Sequence, residues 1–312
     1  MNKTTIIYSL STRGLYSELF NLCLAKVYAQ NKRLSLRLNT YLWNSRIKKG
    51  WQDYFEPTLD CSNNPLPAQD KVYSNEKPWI GKVYYNPHAF FSYYIRLFLN
   101  KLYLILHPTH LLTREIFNGM RSVEFIHDAL GKDAFNLMAI SFKQMYIINN
   151  ETKLLIRERT VSLELPDSYI GVHIRRGDKI TSQEMQDIHL DKYVNAMVAY
   201  KNISPNVYIA TDDISIISYI KKRTENQNIT IYYNFLNHSQ GFNEENFNHS
   251  SLKTRKEDTL NVLLDMDILI HSKFFIGTYT SNLSRVVPFF IGPDKCLSLD
   301  NDWNIINSLN GL

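Results

Sequence analysis

The 312-residue chain has three cysteines, Cys23, Cys61 and Cys296, odd in number and without C-x-x-C spacing. That excludes a disulfide framework and a thiolate metal cluster, and suits a reducing compartment. With only ten prolines, the chain is neither collagen-like nor a disordered linker. No uninterrupted apolar run approaches the roughly 20 residues of a spanning helix. The longest, residues 89–106, is broken by Arg96, Asn100 and Lys101. Residues 1–9 lack a basic stretch followed by an apolar one and a small-residue cleavage site, so a cytoplasmic protein is expected. No long Lys/Arg run accompanies the net charge of +5, which argues against nucleic acid as a partner and leaves an anionic small ligand.

The chain is 44% apolar and 13% aromatic, and its length suits two α/β domains of roughly 150 residues each. The 89–106 tract, dense in Phe and Tyr, is expected to be a buried core helix. A helix on a bilayer surface or lining an acceptor groove is the alternative, so peripheral membrane contact stays open. Seven Asn-x-Ser/Thr triplets are expected to be unmodified in an Asn-rich chain without a secretion signal.

Periodicity predicts a strand over 4–9, a polar turn at Ser11-Thr12-Arg13-Gly14, a helix over 15–30 and a strand over 34–38. Leu15, Leu19, Leu22, Cys23 and Val27 form the apolar face of that helix. Residues 60–68 read as a loop, and the stretch to 165 is mostly helical in pattern. Beyond it strands and helices alternate: strands at 169–174, 207–210, 229–233 and 274–277, helices at 190–201, 214–223, 259–271 and 281–290. Such alternation predicts a doubly wound parallel sheet in the C-terminal half, with ligands at the carboxyl ends of its strands. The expected domains are 1–165 on the acceptor side and 166–292 for the nucleotide sugar, with 293–312 a tail.

The chemistry-bearing residues sit at those strand ends. Arg175, Arg176, Gly177, Asp178 and Lys179 follow the first of them. Guanidinium forks can clamp a pyrophosphate and stabilise a departing nucleoside diphosphate, although an Arg-Arg pair can equally be a solvated basic loop. Arg176-Gly177-Asp178 also spells an adhesion tripeptide, which such a short motif does by chance. Ala210-Thr211-Asp212-Asp213 ends the next strand, and helix capping accounts for one of its carboxylates. Asp265 and Asp267 follow the apolar run 262–264, where a carboxylate needs a partner. That partner could be a guanine edge, an arginine or a backbone N–H. Thr278-Tyr279-Thr280-Ser281-Asn282 leads into a helix carrying Arg285, and a helix start favours phosphate.

In order and spacing these segments resemble the α-1,6-fucosyltransferase family, which includes core and rhizobial nodulation fucosyltransferases. Gly171 to Lys179 resembles the Gly-Val-His-Val-Arg-Arg-x-Asp-Lys motif, Ala210 to Asp213 the Ala-Thr-Asp-Asp motif, and Asp265, Ser281 and Arg285 the third region. Residues 14–19 and Gly50-Trp51-Gln52-Asp53-Tyr54-Phe55 look like the family's N-terminal loop and Gly-Trp-x-x-x-Phe motif. The resemblance implies a GT-B-like fold with two Rossmann-type domains, and a metal-independent, inverting transfer of L-fucose from GDP-fucose to a glycan acceptor. It implies no cofactor beyond that donor. It further implies that Arg175 meets the diphosphate, His173 and Asp265 the guanine, and Thr280, Ser281 and Asn282 phosphate. Arg176, Asp212 and Asp213 would support the site, and Asp178 and Lys179 join Arg175 and Arg176 as expected catalytic residues.

The family's proposed base falls on Gln183, so a one-residue insertion would give that role to Glu184, with Asp178 and Asp187 as alternatives. The chain stops soon after Trp303 and shows no anchor, which implies the bacterial layout. Another nucleotide sugar, or a non-catalytic nucleotide- or glycan-binding role, is the alternative reading.

Overall fold

Two pairs of strands, 5–9 with 35–39 and 170–174 with 206–211, are each joined through a helix, as parallel pairing requires. The computed structural model describes residues 4–66, 87–178, 186–235 and 241–303. Their contacts divide the chain into two units, residues 1–13 with 21–145 and residues 14–20 with 146–312.

The first unit holds a parallel sheet in the order β3-β2-β1-β4, with β1 Thr5–Ser9, β2 Ser35–Asn39, β3 Asp60–Ser62 and β4 His110–Leu112. Helix α1 (Leu15–Asn31) gives its opening residues to the second unit and the rest to the first. Leu19, Leu22, Cys23 and Val27 of its expected apolar face are buried. Strand β3 lies inside the stretch expected to be a loop, too short for periodicity to show.

The Gly-Trp-x-x-x-Phe segment is a core feature. Trp51, Tyr54 and Phe55 are buried, with Trp51 stacked on Phe55 at 4.3 Å. The Asp53 carboxylate accepts the N–H groups of Ile47, Lys48 and Lys49 at 2.7, 3.0 and 2.8 Å. Gly50 is required here: at φ +69 a Cβ would lie 2.0 Å from Thr40 Oγ1.

Helix α2 (Pro87–Leu106), expected in the core, instead presents Phe91, Phe98, Ile105 and Leu106 to solvent. Apolar residues all round a helix show only that it could be buried. Helices α3 (Thr113–Met120) and α4 (Ala134–Met145) complete this unit.

The second unit is a five-stranded parallel sheet in the order β7-β6-β5-β8-β9. Its strands are β5 Ile170–Ile174, β6 Asn206–Thr211, β7 Thr230–Tyr233, β8 Phe274–Gly277 and β9 Cys296–Ser298. The fifth strand falls within residues 293–312, read above as a tail. Helices α5 (Asn150–Ser162), α6 (Leu190–Tyr200), α7 (Ile216–Thr224), α8 (Glu244–His249) and α9 (Leu252–Ile270) follow in chain order. The chain then continues through β8 into α10 (Asn282–Val286) and α11 (Pro288–Ile291). Helix α9 begins earlier than its apolar pattern suggests because Ser251 caps it, accepting the Thr254 N–H at 3.1 Å.

From β5 the chain winds outward through β6 and β7, then returns to lay β8 on the other side of β5. The order therefore reverses between β5 and β8, where doubly wound sheets bind ligands. Ile170, Val172, Ile174, Val207, Ile209 and Ile276 form the core around this point. Ile276→Ala is expected to cost about 2–5 kcal/mol, read as a lower urea midpoint with an unchanged m-value.

Candidate functional site

Parallel register sets Ile174 beside Thr211 and Val172 beside Ile276. The segments leaving β5, β6 and β8 consequently emerge along one sheet edge. Asp212 binds the first two together. Its Oδ1 accepts the Arg176 N–H at 2.7 Å, and its Oδ2 accepts those of Gly177 at 2.9 Å and Phe242 at 3.2 Å. Its backbone carbonyl accepts the Gly241 N–H at 2.7 Å.

Arg175 lies over the Phe242 ring, 5.0 Å from its centroid. Its Nη1 is 3.2 Å from Asp212, and its Nη2 donates to Asp178 at 2.8 Å. Asp178 in turn accepts the Glu244 N–H at 2.8 Å. Gly177 permits this approach, since a Cβ there would stand 2.3 Å from the Phe242 carbonyl and 2.6 Å from Asp212 Oδ2.

The three cations and one carboxylate counted along the sequence are balanced differently in the fold. Arg176 is paired with Asp187 and also donates to the Ile188 carbonyl at 3.3 Å, so it ties down residues 187–188. Both alternative bases, Asp178 and Asp187, are thus committed to arginines. Lys179 and Glu184, together with Gln183, lie outside the described residues. Asp213 turns locally, its Oδ1 accepting the Ser215 N–H at 3.0 Å and hydroxyl at 2.6 Å. Of the Asp212-Asp213 pair, the first therefore clamps the loop and the second starts the helix.

Across the point of reversal, His173 on β5 meets the segment after β8. Its Nδ1 lies 2.7 Å from Ser284 Oγ and 3.5 Å from Ser281 Oγ. Burial lowers its pKa to about 4, with Arg175 adding to the shift and Asp212 opposing it, so the ring is neutral at physiological pH. Ser281 is buried and Asn282 opens α10.

Thr280, expected to meet phosphate, is already partnered. Its N–H and hydroxyl donate to Asp300 Oδ2 at 3.1 and 2.5 Å, while the Tyr279 N–H donates to Oδ1 at 2.6 Å. Burial pushes the Asp300 carboxyl upward, but hydrogen bonds from Thr280, Ser298 and the Asn301 N–H outweigh it and hold the group below its ordinary range. The buried Arg285 lies between the rings of Phe20 and Tyr279 at 5.3 and 4.9 Å, and its Nε donates to the Tyr279 carbonyl at 3.2 Å.

Asp265, on α9, lines a small pocket with Ile209, Thr211, Ile214, Tyr233 and Asn234 at the ends of β6 and β7. Its Oδ1 accepts the Tyr208 hydroxyl at 2.6 Å. Burial raises its carboxyl to about 7, although that hydrogen bond pulls the other way. The partner is thus neither an arginine nor a backbone N–H. Asn234 is braced by Asn261 Oδ1 at 3.2 Å, which also accepts from Arg159 Nη1 at 2.9 Å.

Tyr208, Asn234, Phe242 and Asp300 escaped the sequence reading. Their strand and loop positions carry no periodic signal, and only the register and the returning segments bring them to the site. Among the described residues no group of three or more His, Cys, Asp or Glu side chains gathers as a metal site.

Residues 137–289, just under half of the chain, match the family described as alpha-(1,6)-fucosyltransferase N- and catalytic domains. In fold, the chain is similar to NodZ alpha-1,6-fucosyltransferase co-crystallized with GDP, at 16% identity and a TM-score of 0.52, over 93% of each chain. It is similar to fucosyltransferase NodZ from Bradyrhizobium at 16% identity and a TM-score of 0.51, over 93% of this chain and 94% of that one. It is also similar to POFUT1 in complex with GDP-fucose, at 10% identity and a TM-score of 0.53, again over 93% and 94%. The parallel α/β sheets, with a basic and acidic cluster at a point of strand reversal, share the GT-B-like fold of these glycosyltransferase structures. More narrowly, residues 137–289 are similar to the N- and catalytic domains of alpha-(1,6)-fucosyltransferases.

Gly177→Ala is expected to force Phe242 away from Asp212 and to destabilise the protein by about 1–3 kcal/mol. A surface Gly14→Ala control, with open space around its Cβ, separates this from a general glycine effect when both are measured by thermal unfolding.

Proposed function

We propose that the protein transfers L-fucose from GDP-fucose to a hydroxyl of a glycan acceptor, with inversion and without a metal ion. The observation that carries this reading is Asp265, a buried carboxylate on the wall of a pocket at the strand ends, bonded there by Tyr208. A guanine edge presents two parallel N–H donors that one carboxylate can accept. Adenine and uracil lack that pair. Two solved structures of similar fold hold GDP or GDP-fucose.

In this reading His173, neutral and anchored through Nδ1, and Asp265 face the guanine. Arg175, held by Asp178 and Asp212, keeps N–H donors on its planar fork for the diphosphate. Ser281 and Asn282 meet phosphate, and the cation of Arg285 beneath the same turn adds positive potential. The acceptor oxygen forms a bond to the anomeric carbon while the bond from that carbon to the β-phosphate oxygen breaks. GDP departs with the electron pair, and the hydroxyl proton passes to a carboxylate base. Glu184 is the candidate for that base, on sequence grounds alone. Arginine side chains do what a metal ion would do for the leaving diphosphate.

GDP is expected to raise the melting temperature more than ADP or UDP does, and Arg175→Ala to remove both that shift and turnover, with EDTA without effect. An equal response to all three nucleotides would reject the reading.

The Asp265 pKa adds a pH test. In the protein alone its folded-state value, about 7, stands above the ordinary 3.8. The stability this protonated form contributes is complete at acid pH and lost as pH rises through about 7. Guanine needs the ionised form, so GDP affinity is expected to climb between about pH 6 and 8 and then level off. Asp265→Asn keeps an acceptor for Tyr208. It should gain about 1–3 kcal/mol of stability at alkaline pH, flatten the affinity profile and lose the preference for guanine. Isothermal titration and thermal melts across that pH range read both.

A further inference from the structure

The first unit carries an exposed apolar surface. On α2, Phe91, Ile95, Phe98, Leu102, Ile105 and Leu106 are all exposed, from 42% at Leu102 to 74% at Ile105. They recur at three- and four-residue steps and so fall on one stripe of the helix. Tyr94, 43% exposed, shares it. Single exposed apolar residues are ordinary, whereas a continuous stripe along a 20-residue helix is not. Such a helix extends about 30 Å, yet no described helix is long and apolar enough to cross a membrane.

Charge identifies what covers the stripe. Residues 87–106 include Arg96 and Lys101 and no Asp or Glu. Lys101 is exposed on the flank of the stripe. An anionic lipid headgroup pairs with its ammonium while the apolar side chains enter the acyl boundary. At the C-terminal end Tyr103 is only partly exposed, and its hydroxyl lies 2.9 Å from His110 Nδ1, so the aromatic cluster there is tied to the fold.

We propose that α2 is an in-plane membrane anchor that seats the first unit on an anionic bilayer. The proposal rests on this helix and not on the donor assignment.

The full chain is sedimented with phosphatidylcholine vesicles, with and without phosphatidylglycerol, at low and high salt. Binding is expected to be several-fold stronger with phosphatidylglycerol and weakened by salt. The double substitution Phe98→Ser with Ile105→Ser should weaken binding to anionic vesicles at least about tenfold. Lys101→Glu should remove the preference for anionic lipid. Both variants change exposed side chains, so their melting temperatures and their response to GDP should match the parent. No vesicle binding by the parent, or equal binding by the double variant, would overturn the proposal. So would a dimer in solution that the double substitution dissociates, since the stripe would then belong to a second copy.

Discussion

The described carboxyl edge of the second sheet depends on the Asp212 carboxylate. Three backbone N–H groups converge on it, two from the segment leaving β5 and one from Phe242, far along the chain. Hydrogen bonds to an ionised acceptor contribute about 1.5–3 kcal/mol each, and removing the acceptor would strand three donors together. The clamp also sets the position of Arg175, whose guanidinium reaches Asp212 on one side and Asp178 on the other. Phe242 closes the arrangement by receiving that guanidinium on its ring face and the Asp178 N–H on its carbonyl. Gly177 is the steric condition for all of it.

This clamp changes the electrostatics inferred from residue order. A run of Arg-Arg-Gly-Asp-Lys looks like a cationic surface, but folding brings carboxylates to each described arginine of the run. Arg175 faces two and Arg176 one. The edge is therefore a pre-paired network whose donors are aimed by their partners. Such pairing limits the rotamers Arg175 can sample, so less entropy is lost when an anion engages its remaining N–H groups. Asp300 does the same across the point of reversal, holding the Tyr279 and Thr280 amides that an isolated helix start would have offered to phosphate.

The fold was legible in the sequence where periodicity is strong. The alternation after residue 165 foretold the parallel sheet, and the positions of Arg175, Asp212 and Ser281 at strand ends followed from it. What escaped was set by tertiary contact. The Asp212-Asp213 pair has two identical side chains with different tasks, and only the return of residues 241–242 tells them apart. Asp300 sits past the recognisable motifs, and β9 is too short to show a period. Helix α2 misled for a related reason: apolar residues spaced for burial are also spaced for an exposed stripe, and composition does not say which surface meets them. Glu184 and Lys179 stay sequence inferences, since both lie outside the described residues.

His173 and Asp265, both buried, connect stability to function in the proposed reading. Burial disfavours the charged form of each, lowering the imidazole and raising the carboxyl. Neither group is needed to fill the core, since β5 and α9 are already packed by Ile170, Val172, Leu263 and Leu264. A leucine-sized side chain in place of Asp265 would avoid the desolvation cost. A carboxylate there, bonded by one tyrosine hydroxyl and lining a pocket, is a group whose solvation is left incomplete by the protein. In the proposed reading, incomplete solvation of that kind is relieved by a guanine edge with matching donors, so that stability forgone by the protein alone becomes available as selectivity.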